Sequence, residues 1–327
     1  MKIYQSITGC TGVLSADINE SHGFSAATAS VTCRTSTLSI GDAISFDIGY
    51  TDDHAVIFSG FVKQIERQVP ENTYTITAQD AMVRALDYFI APDNPDEAFV
   101  RTNISSEALV GEVLALAGIT NYSYQTTYYT LAVNGTEAKV SLIGCYDYCK
   151  SIADLIAWNL WADRDGTIQF RNRKPYVMTG DSQQPGDIAD TSILTLTVAT
   201  MEDIVHRVSE EDLRNRVVVW GGGEGSNYTA SAVSPYLPAG FYKSILFSNA
   251  IIGNTEMAQK TADYNLALYN RLTTRASITA LGDTTLQART VITVVEATTG
   301  INQDAYVYGC QHRIDSSGYI CSLELRL

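Results

Sequence analysis

A chain of 327 residues, 45% hydrophobic and 18% charged, has the composition of a folded protein and the length for two or three domains. Its formal net charge of −14 comes without any cluster of Lys and Arg, which argues against a surface that grips phosphate backbones. No run approaches the ~20 apolar residues of a membrane helix, and the opening "MKIYQSITGC" has no signal-peptide core, so a soluble chain assembled in a cytoplasm is expected.

The first 78 residues read as strands. "FSAATASVTCRT" and "DAISFDIGY" alternate small or apolar residues with polar ones at period two, with turn chemistry at "SIGD" and "TDD". "GFVKQIERQVPENTYTITAQD" (60–80) predicts a long hairpin turning at Pro70-Glu71-Asn72, with Tyr74, Ile76 and Ala78 on one face of its second strand. Asp80 then reads as an N-cap, with Met82, Ala85, Leu86 and Phe89 at helical spacing behind it. Residues 1–91 are thus expected to form a β-domain closed by a short helix.

"APDNPDEA" (91–98) marks a boundary. Beyond it, "SSEALVGEVLALAG" predicts a helix capped by Ser105. "YDYCKSIADLIAWNLW" predicts a second helix, with Tyr148, Ile152, Leu155, Ile156 and Asn159 on one stripe. Asp165-Gly166 predicts a tight hairpin turn in "ADRDGTIQFRNR". Residues 92–183 read as a small α+β domain ending in "TGDSQQPGD". After residue 184 the β pattern returns with "RNRVVVWGGGEG", "NYTASAV", "TLQARTVITVVEA" and the terminal "AYVYGCQHRIDSSGYICSLELRL", interrupted by the amphipathic helix "NTEMAQKTADYNLALYNRL".

The two ends of the chain resemble each other. "IFSGFVKQIE" (57–66) sets Gly60 on Gly309, Ile65 on Ile314 and Glu66 on Asp315 of "YVYGCQHRID" (306–315). Tyr74 then falls opposite Tyr319, and upstream "AISFDI" (43–48) aligns with "VITVVE" (291–296). A glycine inside a strand suggests a bulge or bend of the kind that curves a sheet toward closure. A duplicated β-domain has a geometric consequence: three chains closed into a ring would set six similar domains around one axis.

Four stretches in this order carry a resemblance: "IFSGFV...TYTITAQDAMVRAL" (57–86), "SIADLIAWNLWADRDGTIQFRNR" (151–173), "RNRVVVWGGG" (214–223) and "AYVYGCQHRIDSSGYICSLELRL" (305–327). The chain resembles the baseplate hub proteins of phage tails, a family shared with contractile injection machines. That resemblance implies a mainly β fold with α+β parts. Two tube-like β-barrel domains, 1–91 and 184–327, would flank a peripheral α+β domain, 92–183. It implies a homotrimeric, pseudo-sixfold ring joining a hexameric tail tube, or distal tail proteins, to a trimeric spike, with neighbouring baseplate proteins around it. The ring would sit at the tail tip of a virion, serving DNA ejection. DNA would pass through the bore without being bound specifically, and no membrane insertion is implied. Glu66 and Asp315 are candidate lining residues of an acidic bore. The long loop 221–254 has no counterpart in the resemblance and suits a contact with a neighbouring protein.

Enzyme chemistry finds little support. "WGGGEG" lacks the Lys-Ser/Thr of a phosphate loop, and neither HExxH nor G-x-S-x-G occurs. His22, His54, His206 and His312 are scattered. Glu210/Glu211 and Asp163/Asp165 are acid pairs of the kind that 36 acidic residues produce without purpose. Cys145 and Cys149, at i,i+4, could hold half a metal site, but no second half is visible; buried thiols are expected. No catalytic residue, cofactor or metal is assigned. A second function class stays open: 19 tyrosines, and "NYSYQTTYYT" (121–130) above all, suit a surface adhesin that binds host glycans.

Overall fold

The computed structural model describes residues 2–91, 99–127, 129–172, 191–222, 228–233, 240–270 and 273–327. The boundary read at 91–98 and the "TGDSQQPGD" segment lie almost wholly outside these, as does part of the 221–254 loop.

Chain order begins with six strands: β1 (Ile3–Ile7), β2 (Cys10–Ser21), β3 (Thr28–Ser36), β4 (Ala43–Tyr50), β5 (Asp53–Gln68) and β6 (Thr73–Asp80). The first helix, α1 (Val83–Asp87), is short. Small paired strands follow: β7 (Phe89–Ile90), β8 (Phe99–Arg101) and β9 (Ile104–Ser105). Next come α2 (Ser106–Leu116), β10 (Tyr122–Tyr124), β11 (Thr130–Leu131), β12 (Ala138–Val140) and β13 (Ile143–Gly144). The middle of the chain ends with α3 (Cys145–Leu155), β14 (Asn159–Ala162) and β15 (Ile168–Arg171). The last part holds β16 (Thr195–Thr197), β17 (Met201–Ser209), β18 (Arg216–Gly221), β19 (Tyr228–Val233) and β20 (Ser244–Asn249). It closes with α4 (Thr255–Tyr269), β21 (Thr273–Leu281), β22 (Val291–Glu296), β23 (Ile301–Asp315) and β24 (Gly318–Arg326).

The fold is mainly β with α+β parts, and its β portion is a duplication. The first six strands lie in the order β1-β4-β5-β6-β3-β2; six later strands of the same sheet repeat it as β16-β22-β23-β24-β21-β17. Strand for strand the order is the same, with one exception in direction: β1 runs antiparallel to β4, whereas β16 runs parallel to β22. In the first unit β1 returns against β2, where Gln5 Nε2 donates to Val13 O at 3.1 Å, so the strands wrap into a barrel-type unit. Bulges recur at matching places. Ladder registers shift between Val13 and Ser15 in β2 and between Met201 and Asp203 in β17, and likewise between Val62 and Gln64 in β5 and between Val307 and Gly309 in β23.

These bulges correct the sequence alignment of the repeat. Matched on them, Val62 falls on Val307, so Gly60 corresponds to Ala305 and Gly309 to Gln64. The two glycines serve different ends. A Cβ on Gly60 would sit 2.1 Å from Gln79 O, whereas Gly309 flanks the bulge and has its nearest neighbour at 3.5 Å. The upstream pair is in true register: Ala43 faces Phe61 as Val291 faces Tyr306.

One apolar cluster runs through both units, from Ile18, Phe46 and Ile76 to Ile278, Val294 and Leu323. A second cluster collects Leu109, Val113, Ile152, Leu160 and Phe170 from the middle of the chain. Val217, Ile252, Met257 and Ala262, from the segment between β17 and β21, pack into this second cluster as well. That segment carries the sheet β19-β18-β20 with α4 on it, so much of the unplaced loop is an insertion packed on this second cluster.

Within the described residues the predicted elements hold with three adjustments, the first being that Phe89, read as part of the short helix, stands in β7 and is exposed. Asp80 is the last residue of β6 and not the N-cap of α1; its Oδ1 accepts from Met82 N at 2.9 Å and caps the turn before the helix. The helix read through Trp161 stops at Leu155, where Ala157 takes φ 54°, and Asn159 opens a strand paired with β15. The Asp165-Gly166 turn pulls those residues into the ladder. Ser105 and Asn254 cap α2 and α4 through Ala108 N and Met257 N.

Candidate functional site

The feature that organises the described residues is the seam where the two β units meet. There β2 pairs antiparallel with β23, with Ala16 opposite Ile314, Ile18 opposite His312 and Ser21 opposite Gly309, and the two units become one twelve-stranded sheet. Gln311 Nε2 donates to Asp17 Oδ2 across the seam at 2.7 Å.

The seam is pinned from the side by the β14–β15 hairpin. Arg164, in its turn, has a side chain 14% exposed and reaches Thr284 O at 2.7 Å, Glu20 Oε1 at 2.8 Å and Leu286 O at 2.5 Å. Burial is the largest single influence and works against the guanidinium charge, but Glu20 together with Cys310 and Tyr319 outweighs it and raises the pKa above the ordinary arginine value. Glu20 Oε1 also accepts from Ala288 N at 3.2 Å. Arg289 lies alongside, donating to Ser21 O at 2.7 Å and resting over the Trp161 ring; burial lowers its pKa.

His312, fully buried, closes this network. Its Nε2 lies 2.9 Å from Leu286 O and its Nδ1 2.7 Å from Tyr319 OH. Glu20, Cys310 and His312 together satisfy the spacing of a metal triad. Arg164 Nη2, bonded to Glu20 and 3.1 Å from His312 Nε2, puts a fixed cation where the metal would sit. Carboxylate, thiol and imidazole are ordinary metal donors; it is the guanidinium among them that opposes a cation there.

The other candidates from the sequence fall apart in space. His54 pairs with Asp47 at 2.8 Å and stacks on Tyr4, while His22 sits against Tyr306 and Asn159. His206 is exposed on β17. Glu210 meets Lys243; Asp163 and Asp165 accept backbone N–H groups of Arg164 and Thr167 within their own turn. Cys145 and Cys149 share one face of α3 and donate to Val113 O and Val110 O of α2. Glu66 is exposed on β5, whereas Asp315 is a turn former, accepting from Ser317 N at 2.7 Å, and these contacts lower its pKa. The bulge register sets Glu66 on Gln311, so the two acids are not equivalent. Part of "WGGGEG" lies outside the described residues; β19, a strand, follows it.

Comparison with known proteins agrees with this picture. Residues 246–326 match the family model described as YQBQ-like. No curated protein matches the chain. Among solved structures, a tail protein from Neisseria meningitidis MC58 superposes with a TM-score of 0.72 at 13% identity, over 100% of this chain and 97% of that one. The 43 kDa tail protein of prophage MuSo2 from Shewanella oneidensis gives 0.68 at 16% identity, over 99% and 97%. The fold is that of phage tail proteins. It extends beyond phages: the E. coli c3393 protein, a component of the type VI secretion system, gives 0.57 at 9% identity, over 98% of this chain and 76% of that one. None of the described helices is long and apolar enough to cross a membrane.

What sequence reasoning missed is the seam. Arg164 and Glu20 are 144 positions apart, and neither stands in a motif. Only the repeat hinted that two sheets had to be joined somewhere.

Proposed function

We propose that this protein is a structural hub at the tip of a phage tail or related injection machine, a symmetry adaptor and conduit element in place of a catalyst. Three copies form a ring in which six barrel-type units surround a bore, matching a hexameric tube on one side and a trimeric spike on the other. The observation that carries this reading is the duplicated strand order, β1-β4-β5-β6-β3-β2 against β16-β22-β23-β24-β21-β17, in one continuous sheet. A protein that must look sixfold to one neighbour and threefold to another needs two like units per chain. The near full-length likeness to tail proteins supports the same reading.

In this reading residues 1–91 and 184–327 supply the ring wall. Residues 92–183, with the β18–β20 and α4 insertion docked on them, form the periphery that meets neighbouring baseplate proteins. The acidic charge, −14 per chain, keeps DNA from binding as it passes. The adhesin alternative draws less support, because Tyr129 of the Tyr-rich stretch is spent inside the protein on Met257 O and Thr261 Oγ1.

Native mass with class averages from negative-stain images tests the reading. A trimer with a central hole and six lobes is expected. A compact trimer without a hole overturns it.

A further inference from the structure

We infer that the free edge of β17 pairs with the free edge of the outer half of β5 in a second copy of this chain, in the register that β2 and β23 use within it. The inference rests on the ring reading and adds to it the contact surface and its residue-by-residue pairing.

The duplication supplies the geometry. β2 and β17 are equivalent strands, and so are β23 and β5. Within one chain β2 of the first unit meets β23 of the second. The complementary meeting, β17 of the second unit with β5 of a first unit, is not made among the described residues. Both strands are left bare accordingly. Among the described residues β17 pairs with β21 alone, and Val208 is 57% exposed, whereas Glu20, its counterpart on β2, is buried. Beyond Val62, β5 pairs only with β6, and Lys63, Gln64, Glu66, Arg67 and Gln68 are exposed. A nine-residue strand with an open row of N–H and C=O groups is a template for another strand.

The bulges fix the register. Val13 to Ser15 matches Met201 to Asp203, so Asn19 corresponds to Arg207 and Glu20 to Val208. Val62 to Gln64 matches Val307 to Gly309, so Gln311 corresponds to Glu66 and Cys310 to Ile65. Within the chain Asn19 faces Gln311 and Glu20 faces Cys310. Carried across, Arg207 of one copy faces Glu66 of the next, and Val208 faces Ile65. An opposite charge pair and an apolar pair fall opposite each other with no adjustment. Within the chain these charges are weakly engaged: Arg207 approaches Glu211 at 3.7 Å, and Glu66 accepts from Gln64.

Disulfide trapping tests this on the full chain, in a Cys10→Ser background because the other native cysteines are buried. Directly opposed residues of an antiparallel pair have Cα atoms about 4.5–5.5 Å apart, within disulfide reach. The variant with Arg207→Cys and Glu66→Cys should cross-link into covalent dimers and trimers. The variant with Arg207→Cys and Gln68→Cys, slipped by two residues, should do so at least about tenfold more slowly. Arg207→Glu should weaken assembly about fivefold per contact, and Glu66→Arg added to it should restore it. A holed trimer that cross-links equally in both registers, or only in the slipped one, overturns the pairing and leaves the ring standing. In-register cross-links in a compact particle without a hole uphold the pairing and overturn the ring. A chain that stays monomeric at its solubility limit overturns the pairing as a self-sufficient contact.

Discussion

Arg164 and Glu20 form a buried ion pair, 2.8 Å from Nη2 to Oε1, that ties a hairpin turn of the middle domain to the strand at which the two β units join. The guanidinium also holds Thr284 O and Leu286 O, in the loop between β21 and β22. Three parts of the molecule therefore meet on one side chain.

Removing one partner leaves the other charged and dry, which is the costly case for a buried pair. Arg164→Ala is expected to lower stability by about 3–5 kcal/mol in urea unfolding, and Glu20→Gln by about 2–4 kcal/mol. The variant with both Arg164→Met and Glu20→Gln should cost less than the sum of the two, because no charge is stranded. Full additivity in the double-mutant cycle would mean that the two residues act separately.

Asp80 gives the stability a pH dependence in an unusual direction. Burial pushes its carboxyl up to about 7, although Ala27 N and Met82 N both donate to it. The folded pKa lies above the unfolded one, so the folded state binds the extra proton. The stabilising contribution is complete below about pH 4 and is lost as pH rises through 7. Between pH 5 and 8 the wild type should lose on the order of 3 kcal/mol at this site. Glu296 and Asp315, whose pKa values are lowered, act in the opposite sense and only at acid pH, with Glu296 down at about 2. Urea unfolding of wild type and Asp80→Asn at several pH values separates them. The variant should lose the slope between pH 5 and 8; an unchanged slope would assign it to another group.

Much of the fold was legible because alternation and turn chemistry are local. The hairpin at Pro70-Glu71-Asn72, the Asp165-Gly166 turn and the Ser105 cap all stand where their residues put them. The duplication was legible as well, in "AISFDI" and "VITVVE". The hairpin glycines misled, since Gly60 answers a close approach to Gln79 O and Gly309 a bulge, and a shared letter does not imply a shared cause. The α3 stripe overran into β14 because periodicity alone does not see the turn at Ala157. The seam was invisible for a different reason. Glu20 and His312 read as ordinary strand residues, and they meet only once the two sheets have joined.

Gly282 is required for a reason that its backbone angles do not carry. A Cβ there would fall 2.1 Å from Cγ of Tyr319, a ring 3% exposed whose hydroxyl bonds His312. Gly282→Ala must push the ring away and break that hydrogen bond. The expected cost is about 2–4 kcal/mol, from overpacking and a buried histidine left without a hydrogen-bond partner. Tyr319→Phe isolates the second part and should cost about 1–2 kcal/mol. Urea midpoints of the two variants give the comparison, and a Gly282→Ala variant as stable as wild type would show that the ring has room to move.

Tyr129 tests what the tyrosine-rich stretch is for. Its hydroxyl contacts Met257 O at 3.1 Å and Thr261 Oγ1 at 2.8 Å, both on α4, and burial raises its pKa beyond the ordinary tyrosine range. The contact joins the middle domain to the insertion, 128 residues away in sequence. Tyr129→Phe removes one buried donor but leaves the ring in place, so a loss of about 1–2 kcal/mol is expected. Hydrogen exchange should localise the effect to α4, whose amides would exchange faster while those of the β2–β23 seam stay unchanged. Tyr124, half exposed beside Tyr122, is the control: Tyr124→Phe should change neither stability nor exchange. If glycan arrays show saturable binding to wild type that Tyr124→Phe abolishes, the stretch is a binding surface and the adhesin reading regains its footing.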